Sequence, residues 1–77
     1  MSPKLPRVTA EDMIRVLERM GFHLVRQSGS HKIYKNAAGR RVTVPYHRKR
    51  ILHPKVVKSI LADADLTVEE FIRLLRE

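Results

Sequence analysis

The chain contains no cysteine. Disulfides and thiolate metal sites are excluded, and nothing implies an oxidising compartment. No apolar run approaches the roughly 18 residues needed to span a membrane, and the N-terminal residues lack the apolar stretch of a signal peptide. A soluble, cytoplasmic protein with no membrane association is the expectation. The 77 residues make one domain, 1–77. A chain this short buries only about 60% of its unfolded surface. Its core is small, with little room for a deep pocket around a large organic cofactor, and no cofactor is expected.

Acids are missing from the middle of the chain. Between Arg19 and Ala62 there are eleven Lys or Arg residues and no Asp or Glu, whereas the flanks hold the other five cations and all eight acids. The formal net charge is +8. A contiguous basic stretch of this kind forms a positive face once folded. Such a face attracts polyanions and gives salt-dependent affinity, whereas an ordinary solvated surface mixes both signs. The same absence removes the converging carboxylates that a two-metal nuclease needs. The four histidines, His23, His31, His47 and His53, lack the close pair spacing of a zinc site, so no metal site is expected.

Periodicity divides the chain into six elements. Met1 to Val8, with two prolines, reads as a loose N-terminal arm. Thr9 suits an N-cap, Glu11 and Asp12 favour a first helical turn, and Met13, Val16, Leu17 and Met20 form an apolar stripe that ends at Gly21. A helix over 10–20 follows from this. Phe22 to Arg26, His31 to Lys35 and Arg41 to Pro45 read as strands separated by the turn signals Gln27-Ser28-Gly29-Ser30 and Asn36-Ala37-Ala38-Gly39. Val42 and Val44 share one face, while parity leaves open whether Ile33 or Tyr34 points to the core. Pro54 suits the first turn of a second helix, with Val56, Val57, Ile60, Leu61 and Ala64 as its apolar face. Thr67 to Glu70 has the T-x-x-E capping pattern of a closing helix carrying Phe71, Ile72 and Leu75. The expected fold is α+β: a three-stranded antiparallel sheet with helices on one face, in the α-β-β-β-α order of the double-stranded-RNA-binding fold, plus a short C-terminal helix.

Two chemistries compete for the stretch "RQSGSHKIYK", Arg26 to Lys35. Serine nucleophile chemistry is poorly served, because Ser28 and Ser30 do not form a G-x-S-x-G elbow and no nearby acid can orient a histidine. Metal-free RNA cleavage fits better. The ribose 2′-OH is itself the nucleophile, so the protein needs only to move protons and neutralise the phosphate. A histidine does the first and Lys or Arg the second. His31 has Lys32 and Lys35 beside it in sequence, and Arg26 on the strand with which it should pair. Gly29 and Ser30 form a turn whose backbone can approach a phosphate. The residues alone leave open the plainer alternative, in which His31 is one polar residue on a basic strand. His47, next to Arg48-Lys49-Arg50, is a candidate second acid, a phosphate ligand, or simply a loop residue. His53, just before Pro54, reads as a cap, and His23 as an exposed strand residue.

These residues resemble a known family. "GFHLVRQSGSHKIYKNAAGRRVTVPYH", Gly21 to His47, followed by "VVKSILADADLTVEEF", is similar to HicA-type (YcfA-like) toxins of toxin–antitoxin systems, and the likeness runs from about Asp12 to Leu75. Its most specific part is Gly29-Ser30-His31 after Gly21-Phe22 and Arg26, with Pro45 and His47 downstream. The resemblance implies a double-stranded-RNA-binding-like fold and a metal-independent endoribonuclease acting on mRNA. It places the catalytic role on His31, and it implies a HicB-type antitoxin partner. The expected phosphate- and RNA-binding set is Arg26, Gly29, Ser30, Lys32, Lys35, Arg40, Arg41, His47, Arg48, Lys49 and Arg50, on a monomeric toxin. One departure stands out. Family members often carry a Gly-Thr pair at the start of the second helix, where this chain has His53-Pro54-Lys55-Val56-Val57. Pro54 removes a backbone donor from that helix end. A non-catalytic RNA-binding module is the main alternative, and a DNA-binding adaptor the second. The latter is thinly supported, since the second helix offers mainly Lys55, Lys58 and Ser59 to read bases.

Overall fold

The computed structural model describes residues 4–77. Its elements are α1 (Ala10–Arg19), β1 (His23–Ser28), β2 (His31–Lys35), β3 (Arg41–Pro45), α2 (Pro54–Asp63) and α3 (Val68–Arg76). The α+β order and the single antiparallel sheet, β1-β2-β3, agree with the sequence reading. Among the described residues, no helix is long and apolar enough to cross a membrane.

Local chemistry sets the helix ends. Thr9 accepts the Asp12 N–H at 3.2 Å while Asp12 accepts the Thr9 N–H at 3.1 Å, which satisfies two otherwise unpaired donors. At the other end Gly21 adopts φ +93°, and the Phe22 N–H closes onto the Leu17 carbonyl at 2.9 Å. Phe22 therefore drops into the core, and the first strand begins one residue later than expected. α2 ends the same way, with Asp65 at φ +58° where α1 uses glycine. At its start, Pro54 fills the first helical position and His53 caps it, the ring Nδ1 accepting the Lys55 N–H at 3.1 Å.

The hairpin between β1 and β2 is tighter than expected. Only Gly29 and Ser30 form the turn, Ser28 pairs with His31, and β1 extends to Ser28. Gly29 has φ +57° and Ser30 is not in that region, the pattern of a two-residue turn with glycine first. Between Leu24 and Arg26 the register shifts by one, leaving Val25 as the extra residue of a bulge. A bulge on an edge strand hinders pairing with another chain.

Tyr34, Val42 and Val44 face the helices and are buried with Met13, Val16, Leu17, Val57, Ile60, Leu61 and Phe71. Tyr34, not Ile33, is the core residue of β2. Burial, then the charge of Glu18, then Tyr46 push its hydroxyl above the usual 10.0, so it stays protonated. The arm expected to be loose is tied down at its end. Val8 is 3% exposed, its carbonyl accepts the Leu52 N–H at 2.8 Å, and Thr9 bridges to Ile51. Its first three residues lie outside the described residues.

Phe71 is fully buried, so α3 is part of the core. Phe71→Ala is expected to cost about 3–5 kcal/mol, against the roughly 5–15 kcal/mol that holds a small domain. Urea unfolding measures it, and a loss under about 1 kcal/mol would place α3 outside the cooperative unit. The start of α3 should respond to acid. The Thr67 N–H and then its hydroxyl hold the Glu70 carboxyl below its ordinary 4.5; slight desolvation opposes this and Arg73 adds to it. A lowered folded pKa means stabilisation that is complete above about pH 4.5 and lost as pH falls through the folded value. NMR titration should show Thr67→Ala moving Glu70 upward. An unmoved titration would remove the Thr67 hydroxyl as a cause and leave the shift to the backbone N–H.

Candidate functional site

Strand parity sorts the basic residues. With Tyr34 inward, Lys32 shares its face, and His31, Ile33 and Lys35 point to the opposite, open face. Ser28 and Pro45 flank His31 across the ladder, and Arg26, paired with Ile33, is its diagonal neighbour. His31 is exposed, and no Asp or Glu lies on any of the three strands. The open face around His31 is thus cationic, with a ring nitrogen free to reach a ligand.

Not every expected residue joins this group. Lys32 follows His31 in sequence yet lies on the helix side, its Nζ 3.9 Å from the Tyr46 ring centroid. That contact is a cation–π pair, which occupies the ammonium. Lys35 is on the open face with Arg41 opposite, but four residues along β2 places it about 13 Å from His31. Arg40 turns to the end of α2. It donates to the Asp63 carbonyl at 3.2 Å and stands 3.7 Å from Asp65, neutralising a helix C-terminus. Arg19 does the same for α3, donating to the Leu74 carbonyl at 2.7 Å. These two roles depend on tertiary contacts between residues 23 and 55 apart in sequence.

The other expected residues gather at the His31 end. The Tyr46 N–H donates to the Ser30 carbonyl at 2.6 Å, which holds the segment after β3 against the Gly29–Ser30 turn. His47 follows directly. The Arg50 N–H then closes onto the His47 carbonyl at 3.1 Å, so Arg48 and Lys49 form the corner of a tight turn. A Cβ at Gly29 would meet open space, so the position needs glycine for the positive φ of the turn, +57°. Among the described residues, no three His, Asp or Glu side chains come together as a metal site.

Two residues with no site role in the sequence reading, Ile51 and Val56 (the latter expected only on the apolar face of α2), stand beside this group. With Pro45, His47, Arg50 and His53 they line a groove of about 200 Å³ beside the end of β3. Ile51 is 55% exposed, which is unusual for a large aliphatic side chain, but nothing in its local sequence marks it.

The geometry therefore defines a small α+β domain with one open, acid-free, basic sheet face and a histidine at its edge. Comparison with protein families supplies the class: the model of the HicA toxin of bacterial toxin–antitoxin systems matches residues 10–66. The chain belongs to the HicA toxin family. Membership makes it the toxin of a toxin–antitoxin system and implies an antitoxin partner. Comparison with curated proteins finds no match.

Lys49 adopts φ +62° at the corner of its turn, a conformation that costs a residue with a Cβ about 1–2 kcal/mol. Lys49→Gly is expected to raise stability by up to about 1 kcal/mol after the added unfolded-state entropy of glycine, and Lys49→Val to lower it. Thermal unfolding of the pair checks this. Equal losses in both would show that the turn does not depend on this φ.

Proposed function

We propose that this toxin is a metal-independent endoribonuclease that cuts mRNA, with His31 as general acid/base and a HicB-type antitoxin as its partner. The observation that carries the proposal is His31 exposed on an acid-free basic face with Arg26 diagonal to it. In the reaction the 2′-oxygen bonds to the adjacent phosphorus and the bond from phosphorus to the 5′-oxygen breaks. One proton leaves the 2′-OH and one reaches the 5′-oxygen, giving a cyclic phosphate and a 5′-OH. His31 handles one of these protons. His47, held beside the same turn, is the candidate for the other. Arg26 neutralises charge on the phosphate.

In this reading the remaining cations take different roles. Lys35 and Arg41 serve phosphates further along the strand, and Arg48, Lys49 and Arg50 extend the track on the other side. Lys32 acts through Tyr46 from behind the sheet, and Arg40 contributes mainly to α2. Gly29 and Ser30 shape the turn that presents His31. A partner offering acidic groups to this face would gain speed of association and specificity. The protein is expected to work as a monomer in the cytoplasm.

A second reading, an RNA-binding module that does not cut, draws on one observation. No carboxylate on the sheet orients the His31 ring. A ribonuclease assay on a long mRNA in excess chelator, wild type against His31→Ala, separates the two. Cutting is expected from wild type alone, with the variant down by at least about a hundredfold and still binding RNA. A variant that cuts as well as wild type would remove His31 from the chemistry. Binding without cutting by both would establish the binding module.

A further inference from the structure

After β3 the chain leaves the sheet, and residues 45–53 fold back against the first turn of α2. The groove of about 200 Å³ opens there. We propose that it holds one unstacked nucleobase of an RNA strand, from a nucleotide adjoining the one whose phosphate reaches His31. The proposal rests on the RNA reading above and adds a base-binding site to it.

Four observations point to this occupant. The first is position. Pro45 pairs with His31 across the ladder and also lines the groove, so a strand crossing His31 passes its mouth. The second is size. The volume is below the about 300–1,000 Å³ of sites for drug-sized ligands, which suits a single base. The third is the wall chemistry. Pro45, Ile51 and Val56 give apolar surface against a base, and the 55% exposure of Ile51 leaves an aliphatic side chain with area to cover. The fourth is the rim. Arg50 carries only donors. His53 accepts the Lys55 N–H at Nδ1, so its neutral ring carries the proton on Nε2 and is a donor as well. No acid lines the groove. Single-stranded RNA is recognised in this way, with bases splayed out against side chains and hydrogen-bonded at their edges. A donor rim matches the carbonyl acceptors of guanine, uracil and cytosine and disfavours adenine, which has only ring-nitrogen acceptors beside its own amino donor.

The adjoining groove of about 320 Å³, between Leu5, Pro6 and α2, contains no strand residue and lacks this continuity with His31.

The test is anisotropy binding of a 2′-fluoro RNA decamer, which has no 2′-OH to react. A single abasic residue is walked through its positions, and guanine, uracil and adenine are then compared at the sensitive one. Wild type is expected to lose on the order of tenfold affinity at one position, the range of one stacked base. In Ile51→Ser and in the groove-filling Val56→Phe, both checked for folding by circular dichroism, the intact decamer should bind no better than the abasic one. Equal affinity for every abasic version, with salt-dependent binding intact, overturns the proposal, spares the RNA reading and leaves the groove to a side chain of the protein partner. An abasic penalty that persists in both variants also overturns it, because the base then sits elsewhere. No salt-dependent binding to any version overturns both readings.

Discussion

The burial of Tyr34 decides which way the central strand faces. β2 has only five residues and is hydrogen-bonded on both sides, so its parity governs the whole sheet. With Tyr34 against Val42 and the helices, His31 and Lys35 must face outward and Lys32 inward. A slip of one residue would put Ile33 in the core, which is chemically acceptable, and would also bury His31. What prevents the slip is the Gly29–Ser30 turn, which locks Ser28 opposite His31. The packing of one aromatic ring and the φ of one glycine together hold a histidine on the open face.

Charge segregation follows from the same economy. The acids Asp12 and Glu70 sit in the first turns of α1 and α3, where the helix dipole favours them and where they close capping boxes. None remains for the strands. The reverse arrangement holds at the helix C-termini, where Arg19 and Arg40 leave the basic face to meet the carbonyls of Leu74 and Asp63. The positive surface is therefore smaller than the run of cations in sequence suggests, and it is made of Arg26, the Lys35–Arg41 pair and the turn at Arg48–Lys49. Like charges held this close repel one another, a cost that a polyanion or an acidic partner relieves on binding.

Much of the fold was legible because its signals are local. The Thr9 and Thr67 caps, Gly21 as a stop, Pro54 as a start and the alternation of Val42 with Val44 each act within a few residues, and each element appears where they place it. The misses are of another kind. Nothing local distinguishes Ile33 from Tyr34, since both fit a core; the helices that pack on the sheet choose the ring. The bulge at Val25 appears only once β1 and β2 are paired. The same limit applies to the site. His31, Arg26 and the turn could be named from their order, but Lys32 depends on parity, Arg40 on the distant end of α2, and the Val8–Leu52 contact on a pairing between chain segments 44 residues apart in number. The Ile51 groove is built from one stretch, residues 45–56, but that stretch is irregular and carries no periodic signal from which its path could be read.

The small size of the domain also constrains how its activity could be controlled. A 77-residue chain with this core has no interior in which to enclose reacting groups, so whatever His31 does happens at the surface. A surface site gains little from excluding water. Under the proposed reading, catalysis there would rest on positioning and on cations held by the paired strands, which is what the ladder around His31 offers. An exposed site on a rigid scaffold is also always ready to act. No internal element with two arrangements is needed to silence it, only a partner that covers the face. In a toxin with an antitoxin partner, the cationic charge that would draw RNA to the sheet would then also draw the protein that blocks it, and the two ligands would compete for the same few residues around β2.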